Sequence, residues 1–177
     1  MPHKGFTLIE LVVTIAILSI LLTIAIPSFS ALIINNRIST QTNDFISDLA
    51  YARAEAVRRN TRISICESAT GTSCGVGAGA TWDTGWMIWI DLNNDGIVNP
   101  GEPILRVHGA LSAGTTFVAT GLTGGGVLLQ YLPSGIVEGV AGSTAAFTLG
   151  QPGYFGRTIN FNTTGRVNTA KTAAILP

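Results

Sequence analysis

The stretch "KGFTLIELVVTIAILSILLTIAIPSF", residues 4–29, decides the architecture of this chain because it is a long apolar segment containing a single acid. Glu10 is the only charged residue within Phe6–Ile26. A helix over Phe6–Ile26 would be roughly 30 Å long, the thickness of the hydrocarbon core of a bilayer. A carboxylate at membrane depth costs about 2.5–3.5 kcal/mol on insertion scales. Glu10 therefore needs an explanation, and the simplest is that its carboxylate snorkels to the nearby membrane surface.

The residues before the apolar segment, Met1–Gly5, are unlike a secretory signal. Such a signal places its cleavage site after the apolar run, and only the weak match Ala25-Ile26-Pro27 follows here. Lys4 favours a cytoplasmic N-terminus, so the residues after Pro27 are expected on the far side of the membrane. A charged fraction of 11% is also low for a cytosolic domain, where roughly 25% is usual. The formal net charge of zero favours neither nucleic acid nor an acidic ligand as a partner of the whole chain.

Two cysteines, Cys66 and Cys74, are separated by a turn-like sequence. In an exported chain two cysteines most simply form a disulfide, with two free thiols as the alternative. A structural metal site is disfavoured, because two cysteines without a nearby histidine cannot complete a tetrahedral set of ligands.

The apolar periodicity resumes after Pro27, as one face of a helix. The members of this stripe follow a 4-3-4-3-4 spacing: Ile38, Thr42, Phe45, Leu49, Ala52 and Ala56. The charged residues lie largely off the stripe: Arg37, Asp44, Asp48, Glu55, Arg58, Arg59 and Arg62. Glu55 and Arg59 form an i,i+4 pair of favourable polarity. The pattern predicts one helix from Phe6 to about Arg59, kinked near Pro27, with an apolar first half and an amphipathic second half.

Short β-rich runs broken by glycine follow the helix. The predicted strands are Arg62–Glu67, Thr81–Leu92, Pro103–His108, Thr115–Thr120, Val127–Leu132, Ala145–Leu149, Thr158–Asn162 and Arg166–Thr169. Glycines crowd the connections, notably in Gly71–Gly79 and Gly121–Gly126. Strands at hairpin spacing predict an α+β fold, in which antiparallel sheet packs on the amphipathic half of the helix.

The stretch at residues 4–29 resembles the N-terminal signal of type IV pilins and type II secretion pseudopilins. The resemblance implies that a prepilin peptidase cuts between Gly5 and Phe6 and N-methylates Phe6. It also implies that Glu10 pairs with the N-terminal amine of a neighbouring subunit in a filament, where an unpaired charge is costly. Pro27 matches the proline that kinks the helix in this family.

The remainder resembles the GspH/FimT branch of minor pilins and pseudopilins. The resemblance rests on "NDFISDLAYARAEAVRRNTRISIC", "GWMIWIDLNNDGIVNPGEPILR" and "INFNTTGRV". It implies a leader at residues 1–5, a transmembrane and filament-core half-helix at 6–29, and a periplasmic globular domain at 30–177. The expected function is that of a structural subunit of a type IV pilus or a type II secretion filament. Its partners would be other pilin subunits, the prepilin peptidase and the inner membrane, which a single helix crosses.

The segment from Asp91 to Glu102 fits the spacing of a calcium-binding EF-hand loop. Asp91, Asn93, Asp95 and Glu102 would supply the oxygens, with Gly96 at the sharp turn. The flanking runs read as strands rather than helices, and Asn, Asp and Gly are common in any long hairpin turn. The pattern favours a plain turn, with calcium as the alternative; no other cofactor is expected.

A DNA-binding function, for DNA uptake in natural transformation, is the alternative to a purely structural one. No acidic residue follows Glu138, while Arg157, Arg166 and Lys171 do. Some FimT-type pilins bind DNA through a C-terminal Gly-Arg-x-Arg motif, and Gly165-Arg166-Val167-Asn168 lacks its second arginine. Three cations would give weak, salt-sensitive phosphate binding, and a solvated strand edge explains them equally simply.

An enzyme is not expected. Beyond the leader the chain has one histidine, His108, and it lacks a Gly-x-Ser-x-Gly, phosphate-loop or His-Glu-x-x-His motif. Trp82, Trp86 and Trp89 are expected in the sheet core.

Overall fold

The computed structural model describes residues 5–75, 81–123, 127–140 and 142–174. The first element is a single α-helix of 52 residues, α1 (Leu8–Arg59). Thr7 caps its N-terminus, and Asn60 ends it in the left-handed conformation, with its N–H donating to the carbonyls of Ala56 and Val57. The prediction of one long helix is confirmed, and α1 continues through Pro27.

Two antiparallel sheets pack with α1 and confirm the α+β fold. The strands are β1 (Ile63–Glu67), β2 (Trp86–Ile90), β3 (Ile104–His108), β4 (Thr116–Thr120), β5 (Leu128–Tyr131), β6 (Val137–Glu138), β7 (Thr144–Gly150), β8 (Phe155–Asn162) and β9 (Val167–Ala174). The first sheet has the order β3-β2-β1-β5-β6, and the second has the order β4-β7-β8-β9. The last strands form a long hairpin in which Arg157 lies opposite Lys171.

The predicted strand Thr81–Leu92 is wrong in its first part. Trp82–Thr84 forms a short 3-10 helix, and β2 begins only at Trp86. Gly85 makes this change of direction possible: its φ is +115°, and a Cβ there would lie 2.5 Å from the carbonyl oxygen of His108. The two-residue strand β6 was not predicted, and β9 extends beyond the predicted Thr169.

The hydrophobic core lies between α1 and both sheets. All six members of the predicted helix stripe are buried. Phe45 is the central ring, with ring centroids 4.6–5.8 Å from those of four other aromatics: Trp82, Trp86, Phe117 and Phe147. Trp89 is also buried, but it packs with Cys66 and Met87 in a smaller cluster. The prediction that the tryptophans belong to the sheet core is confirmed for Trp86 and Trp89, and Trp82 is core from outside a strand.

Two acidic residues expected off the helix stripe are buried. Asp48 accepts a hydrogen bond from Trp86 Nε1 at 2.8 Å and pairs with Arg106 at 2.5 Å. Glu55 pairs with Arg58 at 2.7 Å and with Arg59, which confirms the predicted Glu55–Arg59 pair. The two arginine partners lower the pKa of Glu55 to about 2. These partners explain how carboxylates are tolerated next to the core.

Candidate functional site

The described N-terminal residues, from Gly5 onward, are exposed and do not pack against the globular domain. Phe6 is 90% exposed, and a Cβ added at Gly5 would meet no atom within 4 Å. The backbone from Gly5 to Thr7 is not helical. A processing enzyme would therefore reach the Gly5–Phe6 bond without unfolding any part of the domain.

Glu10 closes a capping box at the start of α1. Its Oε2 accepts hydrogen bonds from Thr7 N and Thr7 Oγ1, both at 2.9 Å, and its own N–H donates to Thr7 Oγ1 at 3.3 Å. Thr7 was not singled out from the sequence, although a Thr three residues before a Glu is the signature of this cap. The same carboxylate remains exposed.

The first half of α1 presents apolar side chains on all sides. Every described residue from Gly5 to Ser30 is exposed. By length and composition, α1 is the one helix within the described ranges that could cross a membrane. A helix that is apolar all round needs another apolar phase or other apolar helices around it.

Cys66 and Cys74 form a disulfide with a Cα–Cα distance of 5.6 Å, as predicted. Glu67, which directly follows Cys66, is a buried acid that the sequence analysis did not single out. It is 1% exposed, and no described residue donates a hydrogen bond to its Oε1. Burial, and secondarily the negative charge of Asp83, raise the pKa of Glu67 to about 7.

The loop from Asp91 to Glu102 uses its carboxylates to hold its own backbone. Glu102 accepts from the N–H groups of Leu92 at 2.8 Å and Asn99 at 2.9 Å. Asp95 accepts from Ile97 N–H at 2.8 Å and from the Asn99 side chain at 2.9 Å. The bond from Ile97 is the main reason that the pKa of Asp95 is lowered.

The buried end of this loop is held in the same way. Asp91 Oδ2 accepts from Gly96 N–H at 3.0 Å, Gln130 Nε2 at 2.9 Å and Ser64 Oγ at 3.2 Å. The Asn93 side chain is also engaged within the loop: its Nδ2 donates to Asp95 Oδ2 at 2.8 Å, and its Oδ1 accepts from Asp95 N–H at 3.2 Å. Within the described part of the chain, no group of three or more His, Cys, Asp or Glu side chains is arranged to hold a metal. These contacts favour the hydrogen-bonded turn, and calcium binding stays a prediction.

The three C-terminal cations do not form one patch. Arg157 and Lys171 lie opposite each other on β8 and β9, whereas Arg166 lies in the turn of that hairpin. Lys171 lies five positions after Arg166 along an extended chain, which corresponds to roughly 16 Å. Arg157 donates to Ser39 Oγ at 3.3 Å, and Lys171 Nζ lies 4.0 Å from the centroid of the Phe155 ring. The arrangement adds no support to the DNA-binding alternative, which stays a prediction.

His108 has a structural environment. Its ring stacks on Trp86 with centroids 3.9 Å apart, and Nδ1 lies 2.9 Å from the carbonyl oxygen of Gly109. This position agrees with the expectation that His108 is structural.

Comparison with known proteins yields two matching family models. The model described as Type II transport protein GspH matches residues 41–169, and the model described as Prokaryotic N-terminal methylation motif matches residues 1–26. The pilin-like protein PilA1 of Thermus thermophilus is 27% identical over 110 residues, which are 61% of this chain and 61% of that protein. The match therefore spans less than two thirds of the relative's length.

Crystal structures of the type IV minor pilin FimU of Pseudomonas aeruginosa have a similar fold. In one crystal form the TM-score is 0.56 at 23% identity, covering 77% of this chain and 90% of FimU. In another the TM-score is 0.52 at 22% identity, covering 75% and 91%. At this identity the likeness concerns the fold alone.

Proposed function

Because this chain belongs to the GspH family and carries the N-terminal methylation motif, we propose that it is a minor pilin that joins a type IV pilus. The observation that carries the proposal is the contrast between the two halves of α1. The apolar first half is exposed on all sides, whereas the second half buries one stripe of side chains against the sheets. Similarity to the pilin-like protein PilA1 and the type IV minor pilin FimU favours a pilus. A type II secretion filament is the alternative machine for the same subunit.

Before assembly, the first half of α1 crosses the inner membrane once, with the globular domain in the periplasm. Its apolar surface matches the length that a bilayer requires. The disulfide Cys66–Cys74 suits the oxidising periplasm. A prepilin peptidase cleaves between Gly5 and Phe6 and methylates Phe6, which leaves a charged amine at the start of the mature chain.

In the filament, Glu10 pairs with the amine of a neighbouring subunit. Among the described residues, Thr7, a neutral donor, is the one partner that hydrogen-bonds this carboxylate within the subunit. Burial among apolar helices makes an unpaired charge costly and a paired charge much less so. The carboxylate therefore favours the one register in which the two charges meet.

Processing is tested by expressing the full chain in cells with and without a prepilin peptidase. Mass spectrometry of the purified protein should show loss of Met1–Gly5 and one added methyl on Phe6 only when the peptidase is present. Gly5→Val should block cleavage without changing the thermal stability of the domain, because a side chain at this position meets no neighbouring atom. An unprocessed wild-type chain in the presence of the peptidase would contradict the proposal.

Assembly is tested with Glu10→Gln, which keeps the size of the side chain and removes its charge. We expect normal processing and membrane insertion but strong loss from sheared filaments, with Glu10→Asp as the charge-retaining control. Crosslinking and co-purification with pilus or secretion components would identify the machine. Equal recovery of wild type and Glu10→Gln in filaments would overturn the proposed role.

A further inference from the structure

The globular domain begins immediately where the apolar surface of α1 ends. Leu32 and Ile33 are still 55% and 49% exposed, and the apolar run closes at Ile34, followed by Asn35, Asn36 and Arg37. Ile38 is buried against the domain. No flexible spacer separates the two parts, so the end of the domain that packs on residues 35–39 has a fixed height above the apolar segment.

The hairpin of β8 and β9 supplies this end of the domain. Arg157 Nη2 donates to Ser39 Oγ at 3.3 Å. A small crevice of about 110 Å³ lies here, lined by Asn35, Ile38, Phe155, Gly156, Arg157 and Lys171. The other end of the hairpin lies further along α1, where Arg53 donates to the carbonyl oxygens of Thr164 at 2.9 Å and Gly165 at 3.1 Å. We call the first end, formed by residues 35–39, 155–157 and 171–172, the basal face.

The basal face is positively charged and has an exposed aromatic ring. Its cations are Arg37, Arg157 and Lys171, and no acidic residue occurs within β8, β9 or the connection that precedes β8. Along α1 there is no acid between Glu10 and Asp44. Phe155 is 49% exposed, with Lys171 Nζ stacked 4.0 Å from its ring centroid.

The height of this face matches the headgroup layer of a bilayer when α1 is tilted. At about 1.5 Å per residue, residues 6–34 make roughly 42 Å of helix, and a tilt of about 40° fits that length to a hydrocarbon core of roughly 30 Å. Arg37 then lies about 3 Å and Ser39 about 6 Å above Ile34 along the membrane normal, within a headgroup region of roughly 5–7 Å. In this tilted position the cations reach phosphate level, and an aromatic ring is favoured in the same layer.

We propose that the basal face binds anionic phospholipid headgroups and holds the globular domain against the membrane until the subunit enters the filament. This inference rests on the proposed membrane insertion of α1. Charge complementarity and height both favour lipid as the occupant. A long polyanion such as DNA would also engage Arg166, which lies outside the basal face at the turn of the hairpin.

The test uses the full chain in lipid nanodiscs, either purely zwitterionic or containing phosphatidylglycerol. A fluorophore is attached at Ala113→Cys, an exposed site near this end of the domain, since Thr115 Oγ1 donates to Gln41 at 3.3 Å. Headgroup nitroxide lipids quench the fluorophore when the domain is docked. We expect stronger quenching in anionic discs, and its loss at about 1 M salt, where the screening length falls to about 3 Å.

Matched variants separate the basal face from overall charge. Lys171→Gln should lower the ratio of docked to undocked domain about fivefold, and adding Arg157→Gln should lower it further. Arg166→Gln removes the same charge from the other end of the hairpin and should change the ratio less than twofold. Unchanged melting temperatures show that each variant folds.

Two results would overturn the inference. Equal quenching in anionic and zwitterionic discs, or equal effects of Lys171→Gln and Arg166→Gln, would exclude specific binding by the basal face while leaving membrane insertion intact. A chain that does not incorporate into either kind of disc would instead overturn the proposed function and this inference together.

Discussion

The two halves of α1 share one continuous helix and differ in what surrounds them. The first half exposes its apolar side chains on every side, and Ile17, for example, is 54% exposed. The second half buries one stripe so completely that Phe45 and Leu49 are 0% exposed. The backbone is helical in both, so the difference lies only in which side chains find partners within the same chain.

This contrast assigns separate tasks to the two halves. Burial of the stripe stabilises the globular domain, because apolar area is removed from water by the chain itself. The exposed half contributes nothing to that stability, and its apolar area is covered only by lipid or by other subunits. Changes in the second half should therefore affect folding, and changes in the first half should affect insertion and assembly.

Phe45→Ala should have the largest effect on stability. It removes the ring at the centre of the aromatic cluster, and comparable truncations of buried aromatics cost about 3–5 kcal/mol. The three tryptophans all lie in the globular domain, so their fluorescence during denaturation of the full chain in detergent reports its unfolding.

Ile17→Ala is the matched control in the exposed half. It should change the same free energy of unfolding by less than about 0.5 kcal/mol. Comparable losses for Phe45→Ala and Ile17→Ala would show that the two halves are not energetically separate.

Glu67 should make the stability of the domain depend on pH. Burial raises the pKa of Glu67 in the folded state to about 7, from about 4.5 in the unfolded chain. Between these pH values the unfolded chain releases a proton that the folded chain keeps, so stability is full below about pH 4.5 and falls as the pH rises to about 7. The loss is up to about 3 kcal/mol. Denaturation of the full chain from pH 4 to 8 measures it.

Glu67→Gln should remove most of this pH dependence. The variant should be more stable than wild type at pH 8 and similar at pH 4, since glutamine cannot ionise. Asp44→Asn, at an exposed position on α1, serves as the control that leaves the profile unchanged. A wild-type profile that persists in Glu67→Gln would show that another group is responsible.

Much of this division could be predicted from sequence. Residues that recur with the 3.6-residue period of a helix lie on one of its faces. The periodicity in the sequence therefore identified all six members of the buried stripe. The apolar run and its motif similarly predicted the exposed half. Each of the eight predicted strands overlaps an observed strand, and five of them agree to within one residue at each end because alternation and glycine mark their ends.

The features that were not predicted from the sequence share a physical cause: each is set by contacts with residues that are distant in the sequence. Asp48 is buried because Trp86 and Arg106, far along the chain, donate to it. The burial of Glu67 likewise depends on tertiary packing. The strand β6 has only two residues and pairs with β5, so no periodicity could show it. The position of Arg157 opposite Lys171 follows from the register of the hairpin, which the sequence alone does not show.

The disulfide should strengthen the globular domain by an intermediate amount. Cys66 and Cys74 have a sequence separation of 8, and closing a loop of that size stabilises a fold by about 2.5 kcal/mol in the chain-entropy account. Cys66→Ser/Cys74→Ser should lower the free energy of unfolding by about this amount and leave membrane insertion unchanged. A loss of insertion alongside stability would contradict the separation of the two regions.

Asp48→Asn should have the smallest effect of this series, and it tests whether burial on one face of the second half of α1 sets the cost of a substitution. The substitution keeps the volume of the side chain but weakens its bonds to Trp86 Nε1 and Arg106, and hydrogen bonds to a charged group contribute about 1.5–3 kcal/mol. Because Arg106 is partly exposed and can be hydrated, a loss of about 1.5 kcal/mol is expected in denaturation of the full chain. Asp44→Asn makes the same chemical change one turn earlier, at an exposed position, and should cost less than about 0.5 kcal/mol. If the two substitutions cost the same, burial on this face of α1 would not be what distinguishes its second half.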